Sequence, residues 1–344
     1  MDALNPQTVL QARFVLTYQQ RNITRDVSEH LLSLTYTDHL TGNADSLEVE
    51  LEDTQGRWRD AWYPGHGDTL TLAIGWQGAP LRTLGRLEID EVELNGPPST
   101  ITIHALATGI NGPLRTVEHH AYEDLTLAAI AQQIATRQGL TLVGHIEPIP
   151  LDRLTQQDTD LTFLRNLAPT YDYAFKITDR QLVFHAIQRL AQAEPVATHR
   201  LTDLANINLR DQIKTVPKAI EIKHKDPTKK QLITYTLVNN QTVAAPSSAS
   251  QTTTSADTHK SRQRSTSTEQ AQAKAKAELA QANRQRTTGQ WTTQGQPHLT
   301  SGNVIGLLTT GQLNGRYLIT SSTHRITRQS GYTTTQQVAR ISNH

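Results

Sequence analysis

The residues of this chain that could do chemistry are few, and their spacing suits little of it. His119 and His120 are adjacent, with Glu118 and Glu123 nearby. Imidazoles and carboxylates are metal ligands. However, adjacent side chains diverge in direction, and a helical zinc site needs histidines at i and i+4. Gly65-His66-Gly67-Asp68 has two glycines but no Lys-Ser/Thr pair and no following helix, so it reads as a turn into the next strand and not as a phosphate cradle. Asp158 with Asp160 and Asp90 with Glu91 are carboxylate pairs. Glycosidase chemistry needs two carboxyls across a cleft, and Asp158 to Asp160 reads better as the capped start of a helix. Ser, His and Asp occur without a nucleophile elbow. The expected catalytic, cofactor-binding and metal-binding sets are therefore none. The densest basic run, Lys223-His224-Lys225-Asp226-Pro227-Thr228-Lys229-Lys230, is either a solvated hairpin end or a patch facing a partner. Trp58 and Trp62 stand at i, i+4. They read as core plugs, with a role as interface anchors as the alternative.

Composition narrows the class. The chain has 344 residues, enough for two or three domains and a sizeable core. Its 33 basic and 32 acidic residues leave a formal charge of +1, which gives no global electrostatic case for nucleic acid or an anionic membrane. There is no cysteine, hence no disulfide framework and no thiolate metal site. The start, Met1-Asp2-Ala3-Leu4-Asn5-Pro6, lacks the basic and apolar regions of a secretory signal, and no apolar run is long enough for a membrane helix. Only 5% of residues are aromatic and 36% are apolar. With Thr and Gln abundant, this suggests β-structure that shares surface with other subunits.

The elements follow from periodicity. Residues 12–107 read as strands: Arg13 to Tyr18, Leu31 to Tyr36, Leu47 to Leu51, Leu70 to Ile74 and Ile101 to Ile103. Leu87 and Ile89 share one parity and Val92 and Leu94 the other, so a bulge or bend is expected between Ile89 and Val92. Residues 121–140 switch to helical spacing, with Leu127, Ile130, Ala131 and Ile134 on one face, Glu123 and Asp124 at the N-terminal end and Gly139 at the stop. A shorter helix over Asp160 to Ala168 precedes a hairpin, Tyr173 to Ile177 and Gln181 to His185. Strands resume after about residue 205, with Ala219 to Lys223, a turn at Asp226-Pro227 and Leu232 to Val238. Residues 239–267 read as a flexible linker and 269–286 as a helix whose thin stripe of Ala271, Ala275, Leu279 and Ala282 must dock on a small-faced partner. Strands over 302–341 finish the chain. The expected architecture is mainly β with an α+β insert. Its domains are 1–114 and 201–344, each a β-barrel or a sandwich by its many short strands and glycine-containing turns, flanking an α+β domain at 115–200.

An internal echo bears on the two β-regions. Gly67-Asp68-Thr69-Leu70-Thr71-Leu72 is similar to Gly302-Asn303-Val304-Ile305-Gly306-Leu307, and Gly85-Arg86-Leu87-Glu88-Ile89 to Gly315-Arg316-Tyr317-Leu318-Ile319, in the same order. Either β-proteins reuse a glycine before an alternating strand, or the chain holds two related barrels.

Asp45 to Asp53, then Trp58, Trp62, Pro64 and Gly67-Asp68, resembles the first barrel of phage late-control D proteins, whose fold is shared with myophage baseplate hubs and the front half of type VI secretion spike proteins. Gln156 to Leu164, Tyr171 to Phe175, Gly289 to Gly302, Gly315-Arg316-Tyr317, His324 and Gly331 to Thr334 extend the resemblance in order over nearly the whole chain. It implies a structural hub: a homotrimer whose six tube-like barrels join the hexameric tail tube to the trimeric central spike, assembled in the bacterial cytoplasm and carried in the tail baseplate of a released phage or bacteriocin-like particle. Implied partners are the tail tube ring, baseplate wedge proteins, the tape measure protein and a spike that is a separate polypeptide, because the chain ends at His344 without an OB-fold and β-helix. No sequence-specific nucleic acid is expected. The alternatives are a type VI spike-like hub fragment, a tail-associated cell-wall hydrolase and a carbohydrate-binding β-protein, the last hard to build with so few aromatic residues.

Overall fold

The computed structural model of the protein describes residues 10–107, 116–226, 231–239, 257–261, 263, 265 and 267–341. Residues 1–9, the Pro227 side of the expected turn, Lys229 and Lys230 of the basic run and most of 239–267 lie outside them.

The first region holds β1 (Ala12–Tyr18), β2 (Arg21–Asn22), helix α1 (Thr24–His30), β3 (Leu31–His39), β4 (Ser46–Glu52), β5 (Thr69–Trp76), β6 (Arg82–Asn95) and β7 (Thr100–Leu106). In β4, Leu47, Val49 and Leu51 are buried while Glu48, Glu50 and Glu52 face outward, the two-residue period the sequence shows. The expected bulge is present: pairing of β6 with β7 slips between Ile89 and Glu91, which brings Val92 back against the core.

The middle region runs β8 (His120–Thr126), α2 (Leu127–Arg137), β9 (Thr141–Val143), β10 (Pro150–Gln156), α3 (Asp160–Thr170), β11 (Tyr173–Thr178), β12 (Gln181–Ala186) and α4 (Ile187–Ala191). The expected helix over 121–140 begins later. Residues 120–126 pair with β10, Tyr122 turns into the core, and Thr126 caps the helix by accepting from the Ala129 N–H at 3.1 Å. Glu123 and Asp124 therefore sit in a strand and not on a helix dipole. Gly139, at φ +64°, ends α2 in the left-handed conformation glycine tolerates.

The last region runs β13 (Ala197–Arg200), β14 (Asn206–Asp211), β15 (Ala219–Asp226), β16 (Gln231–Val238), β17 (Thr258–Lys260), α5 (Thr268–Arg284), β18 (Thr287–Gln294), β19 (Val304–Leu308), β20 (Gly315–Thr327) and β21 (Gly331–Arg340). Ala271 and Ala275 of α5 dock on Ile220 and Ile222 of β15, the small-faced contact its composition requires.

The internal echo is structural. Gly67 N–H donates to the Ile89 carbonyl and Ile89 N–H to that of Asp68, both at 2.8 Å; Gly302 donates to Ile319 at 2.8 Å and Ile319 to Asn303 at 2.9 Å. Gly67 and Gly302 share φ near +80°, at +82° and +83°. Leu70 pairs with Leu87 where Ile305 pairs with Tyr317, and the bulge between Ile89 and Glu91 recurs between Ile319 and Ser321. The strand order β3-β4-β7-β6-β5 is repeated as β14-β18-β21-β20-β19. The repeat breaks at its margin: β1 runs antiparallel to β5, while β13 runs parallel to β19.

Each unit has its own apolar core, around Leu34, Val49, Leu72 and Ile89 in the first and Trp291, Ile305, Tyr317 and Val338 in the second; the α+β region has a third around Ile130, Leu164 and Phe184. The two units nevertheless share one 13-stranded sheet, because β20 pairs with β3 from Ser321↔His39 to Thr327↔Ser33.

β18 carries little apolar alternation and packs its backbone closely on β14. A Cβ on Gly289 would lie 2.0 Å from the Asn208 carbonyl oxygen and 2.8 Å from Leu209 Cα, both backbone atoms that cannot step aside. Gly289→Ala is expected to lower stability by about 2 kcal/mol or more. Gly42→Ala, which meets no atom within 4 Å and is strained only by its φ of +89°, should cost about 1 kcal/mol. Denaturant midpoints of the two variants check the ranking.

Candidate functional site: the junction of three units

The site the fold builds is a buried junction, centred on an ammonium group that the sequence reading did not single out. Lys176 projects from β11 between two carboxylates of the first β-unit, with Nζ 2.5 Å from Asp38 Oδ1 and 3.1 Å from Asp45 Oδ2. Asp38 also accepts from the Ser301 backbone N–H at 2.7 Å and from the Ser301 hydroxyl at 2.8 Å, in the turn before β19. Asp45 accepts from the His39 N–H at 2.9 Å and the Tyr36 hydroxyl at 3.4 Å. The Phe175 N–H donates to Thr41 Oγ1 at 3.1 Å. One cluster thus ties the first β-unit, the α+β hairpin and the second β-unit.

Its electrostatics follow from burial. Desolvation pushes the Asp45 carboxyl up to about 6 against the pull of Lys176, with Asp38 adding to the rise. Burial lowers the Lys176 ammonium, but Asp38 and Asp45 more than offset it and hold its pKa above the ordinary value. Beside this cluster His324 of β20 is fully buried. Its Nδ1 lies 2.9 Å from the Tyr332 hydroxyl and 3.2 Å from Thr334 Oγ1, and its ring stacks on Tyr36 at 6.3 Å. Burial pushes it down to about 4, so it is neutral in the folded protein near pH 7.

Two further clamps hold the α+β unit. Arg284 of α5 makes a two-pronged ion pair with Asp172, which follows α3 in a left-handed turn of φ +64°; Nη1 donates to Oδ2 at 2.8 Å and Nη2 to Oδ1. Arg316 of β20 donates to the carbonyls of Ala191, at 3.2 Å, and Ala193. These groups position and neutralise. None presents a nucleophile beside a base.

The residues considered from sequence are scattered. His120 Nε2 lies 3.4 Å from Glu118, while Glu123 faces Arg153 at 3.5 Å. Among the described residues no three His, Cys, Asp or Glu side chains form a metal-sized group. Gly65 to Asp68 forms the expected turn, with Asp68 accepting from the Gly65 N–H at 3.0 Å and from the Tyr18 hydroxyl. Thr159, not Asp158 or Asp160, caps α3, accepting from the Thr162 N–H at 3.2 Å. Asp160 is instead buried against Arg137, with Nε to Oδ2 3.1 Å and Gln156 Nε2 to Oδ1 2.7 Å. Asp90 and Glu91 are exposed at the bulge. Trp58 is a core residue, whereas Trp62 is 40% exposed and stands edge-on to it at 5.2 Å; both border a cavity of about 520 Å³. Lys223 is exposed and 3.9 Å from Glu221.

No family model matches the chain. In sequence it is 34% identical over 180 residues to the probable baseplate hub protein of Escherichia phage 186, which covers 52% of this chain and 46% of that protein, and 35% identical over 173 residues to that of Escherichia phage P2, covering 49% and 44%. The match thus spans about half the length of these curated relatives. In structure it is similar to the 43 kDa tail protein of prophage MuSo2 from Shewanella oneidensis, with TM-score 0.70, 15% identity and coverage of 96% and 98%. It is also similar to a component of the Escherichia coli type VI secretion system, with TM-score 0.57, 12% identity and coverage of 91% and 74%. The fold is therefore that of phage tail proteins. Within that class, the resemblance to baseplate hub proteins read from the sequence is present in aligned residues as well.

The junction makes stability depend on charge. Lys176→Met leaves two buried carboxylates facing each other and is expected to cost about 3 kcal/mol or more; adding Asp45→Asn should recover part of that loss in a denaturation cycle. The pH dependence has two opposed parts. His324 titrates lower when folded than an unfolded histidine at ~6.5, so the stability it contributes is present above ~6.5 and lost as pH falls towards about 4. Asp45 titrates higher, so its contribution is present below ~3.9 and lost as pH rises through about 6. His324→Gln should therefore make the protein relatively more stable at about pH 5 than at about pH 7, and Asp45→Asn should make acid loss steeper. Unchanged pH ratios of the denaturant midpoints in both variants would contradict this assignment.

Proposed function

We propose that this chain is the central hub of a contractile-tail baseplate: a structural adaptor, not an enzyme, that works as a homotrimer between the hexameric tail tube and the trimeric central spike. The observation that carries the reading is the duplicated five-stranded unit. Two equivalent units per chain make six in a trimer, so one face can present near-sixfold symmetry and another threefold symmetry. The division into a first β-barrel (1–114), an α+β domain (115–200) and a second β-barrel (201–344) is supported by three apolar clusters, each centred in one of these segments. The aligned identity to baseplate hub proteins of phages 186 and P2 supports the same role. Partners in this reading are the tail tube ring, the central spike, wedge proteins and the tape measure protein. Assembly takes place in the bacterial cytoplasm, and the hub then travels in the released particle.

The mechanism is mechanical. The charged junction and the Arg284–Asp172 and Arg316 clamps fix the α+β unit against both β-units, so axial load passes through the chain as through one body. A second reading, a type VI secretion spike-like hub, is supported by fold likeness to the Escherichia coli component.

Gold-labelled antibody imaging of particles from the producing strain tests the proposal. Label at one end of contractile rods is the expected result, and capsids at the other end would assign the particle to a phage. Protein free in solution with no labelled particle would overturn the hub reading and direct attention to cell-wall hydrolysis, assayed on purified peptidoglycan.

A further inference from the structure

The repeat relating the two β-units leaves one contact made and its counterpart unmade. On one edge β20 serves two partners in succession: residues 315–318 pair with β19, and residues 321–327, beyond the bulge, pair with β3. The counterpart of β20 is β6, and the counterpart of β3 is β14. Before its bulge β6 pairs with β5, as the repeat requires. Beyond it, residues 91–95 pair with β7 on one side, and on the other side no strand pairs with them among the described residues. β14 is bound to β18 on one edge, and no strand lies on its other edge among the described residues. The half of β6 and the edge of β14 that lack partners are the two surfaces that the β20–β3 contact would join if it were repeated.

They do not pair within one chain, where β6 and β14 lie at opposite ends of the repeated array β14-β18-β21-β20-β3-β4-β7-β6. We propose that residues 91–95 of one copy pair antiparallel with β14 of a second copy, repeating between chains the β20–β3 seam within each chain. The proposal rests on the homotrimer reading and names the surface that makes it.

The register can be transposed residue by residue. Thr323↔Thr37, His324↔Tyr36 and Arg325↔Thr35 within the chain become Glu93↔Arg210, Leu94↔Leu209 and Asn95↔Asn208 between chains. The side chains suit that register. Leu94 is 55% exposed, a large apolar residue on a strand with nothing over it, and it falls opposite Leu209. Arg210 is exposed and makes no ion pair among the described residues, and it falls opposite Glu93, an opposite-charge cross-strand pair. Asp211, which falls opposite Val92, already has its charge met by Arg286 at 3.0 Å. Unpaired strand edges are templates for another strand. The two edges are different surfaces, so the contact is head-to-tail: it does not stop at a two-fold dimer, and in the homotrimer reading it closes after three copies.

Because the chain has no cysteine, introduced thiols report the contact directly. Full-length Leu94→Cys and Leu209→Cys chains are mixed and oxidised, and the wild-type mass is read by native mass spectrometry. The expected result is a disulfide joining a Leu94→Cys chain to a Leu209→Cys chain, little Leu94–Leu94 product, and covalent species capped at three in the double variant. Glu93→Arg should raise the concentration for half-assembly by about tenfold, and adding Arg210→Glu should restore it. A wild-type trimer without the mixed disulfide would overturn the pairing and leave the trimer standing. Mixed disulfides that build past three would uphold the pairing and overturn the trimer. A monomer without disulfide would overturn both.

Discussion

The constraint on which the architecture depends is that a strand edge can bond only one neighbour at each residue. β20 meets it by length. Its first residues bond β19, the bulge after Ile319 re-aims the strand, and its last seven bond β3. Without that division the two β-units would be separate sheets touching only through side chains. With it, the sheet runs through both units, and the Trp76 indole can donate across the seam to the Gly295 carbonyl at 2.9 Å while packing on Tyr332. The α+β unit is fixed against both β-units by the polar contacts and by a buried apolar cluster of Leu40, Ala174, Ile187, Val304 and Leu318.

The polar contacts are charged and buried, which fixes the geometry in which the units meet. Lys176 between Asp38 and Asp45, and Arg284 forked on Asp172, are satisfied in one geometry, and a displaced partner leaves a buried charge unpaired. Buried His324, Ser322 and Thr334 extend the same specificity into the sheet beside the seam.

Much of the fold was legible where burial follows side-chain type. β4, the bulge in β6, the β11–β12 hairpin and the docking face of α5 all follow from apolar periodicity. The glycine echo was legible too, because positive φ restricts the residue and so leaves a mark in sequence. β18 was not: Thr-Thr-Gly-Gln-Trp-Thr-Thr-Gln offers one large apolar residue, and its inward positions are filled by Thr287, Trp291 and Thr293, with Gly289 chosen for close backbone approach. β8 differs from the expected helix start, since helical spacing from Leu127 onward masks the strand before Thr126. The junction was hidden for a different reason. Lys176 looked like an ordinary outward residue of an alternating strand, and its partners lie more than 130 residues away, at separations of 138 and 131. The one trace was a lone cation amid Tyr173, Phe175 and Ile177, whose face became buried only because another unit covers it.

The β3–β20 seam also sets an order on how the chain acquires its structure. Thr37 and Thr323, which meet across it, are 286 residues apart. During synthesis the first β-unit has the residues for its own core early, but the edge of β3 stays bare until almost the last strand emerges. Long-range pairing of this kind is slow, and a bare edge invites strands from other nascent chains. Thr35, Thr37, Asp38 and His39 along β3 keep that edge polar while it waits. The seam that joins the finished molecule is thus exposed for most of synthesis, and a chain truncated before β20 would present the edge of β3 to other chains.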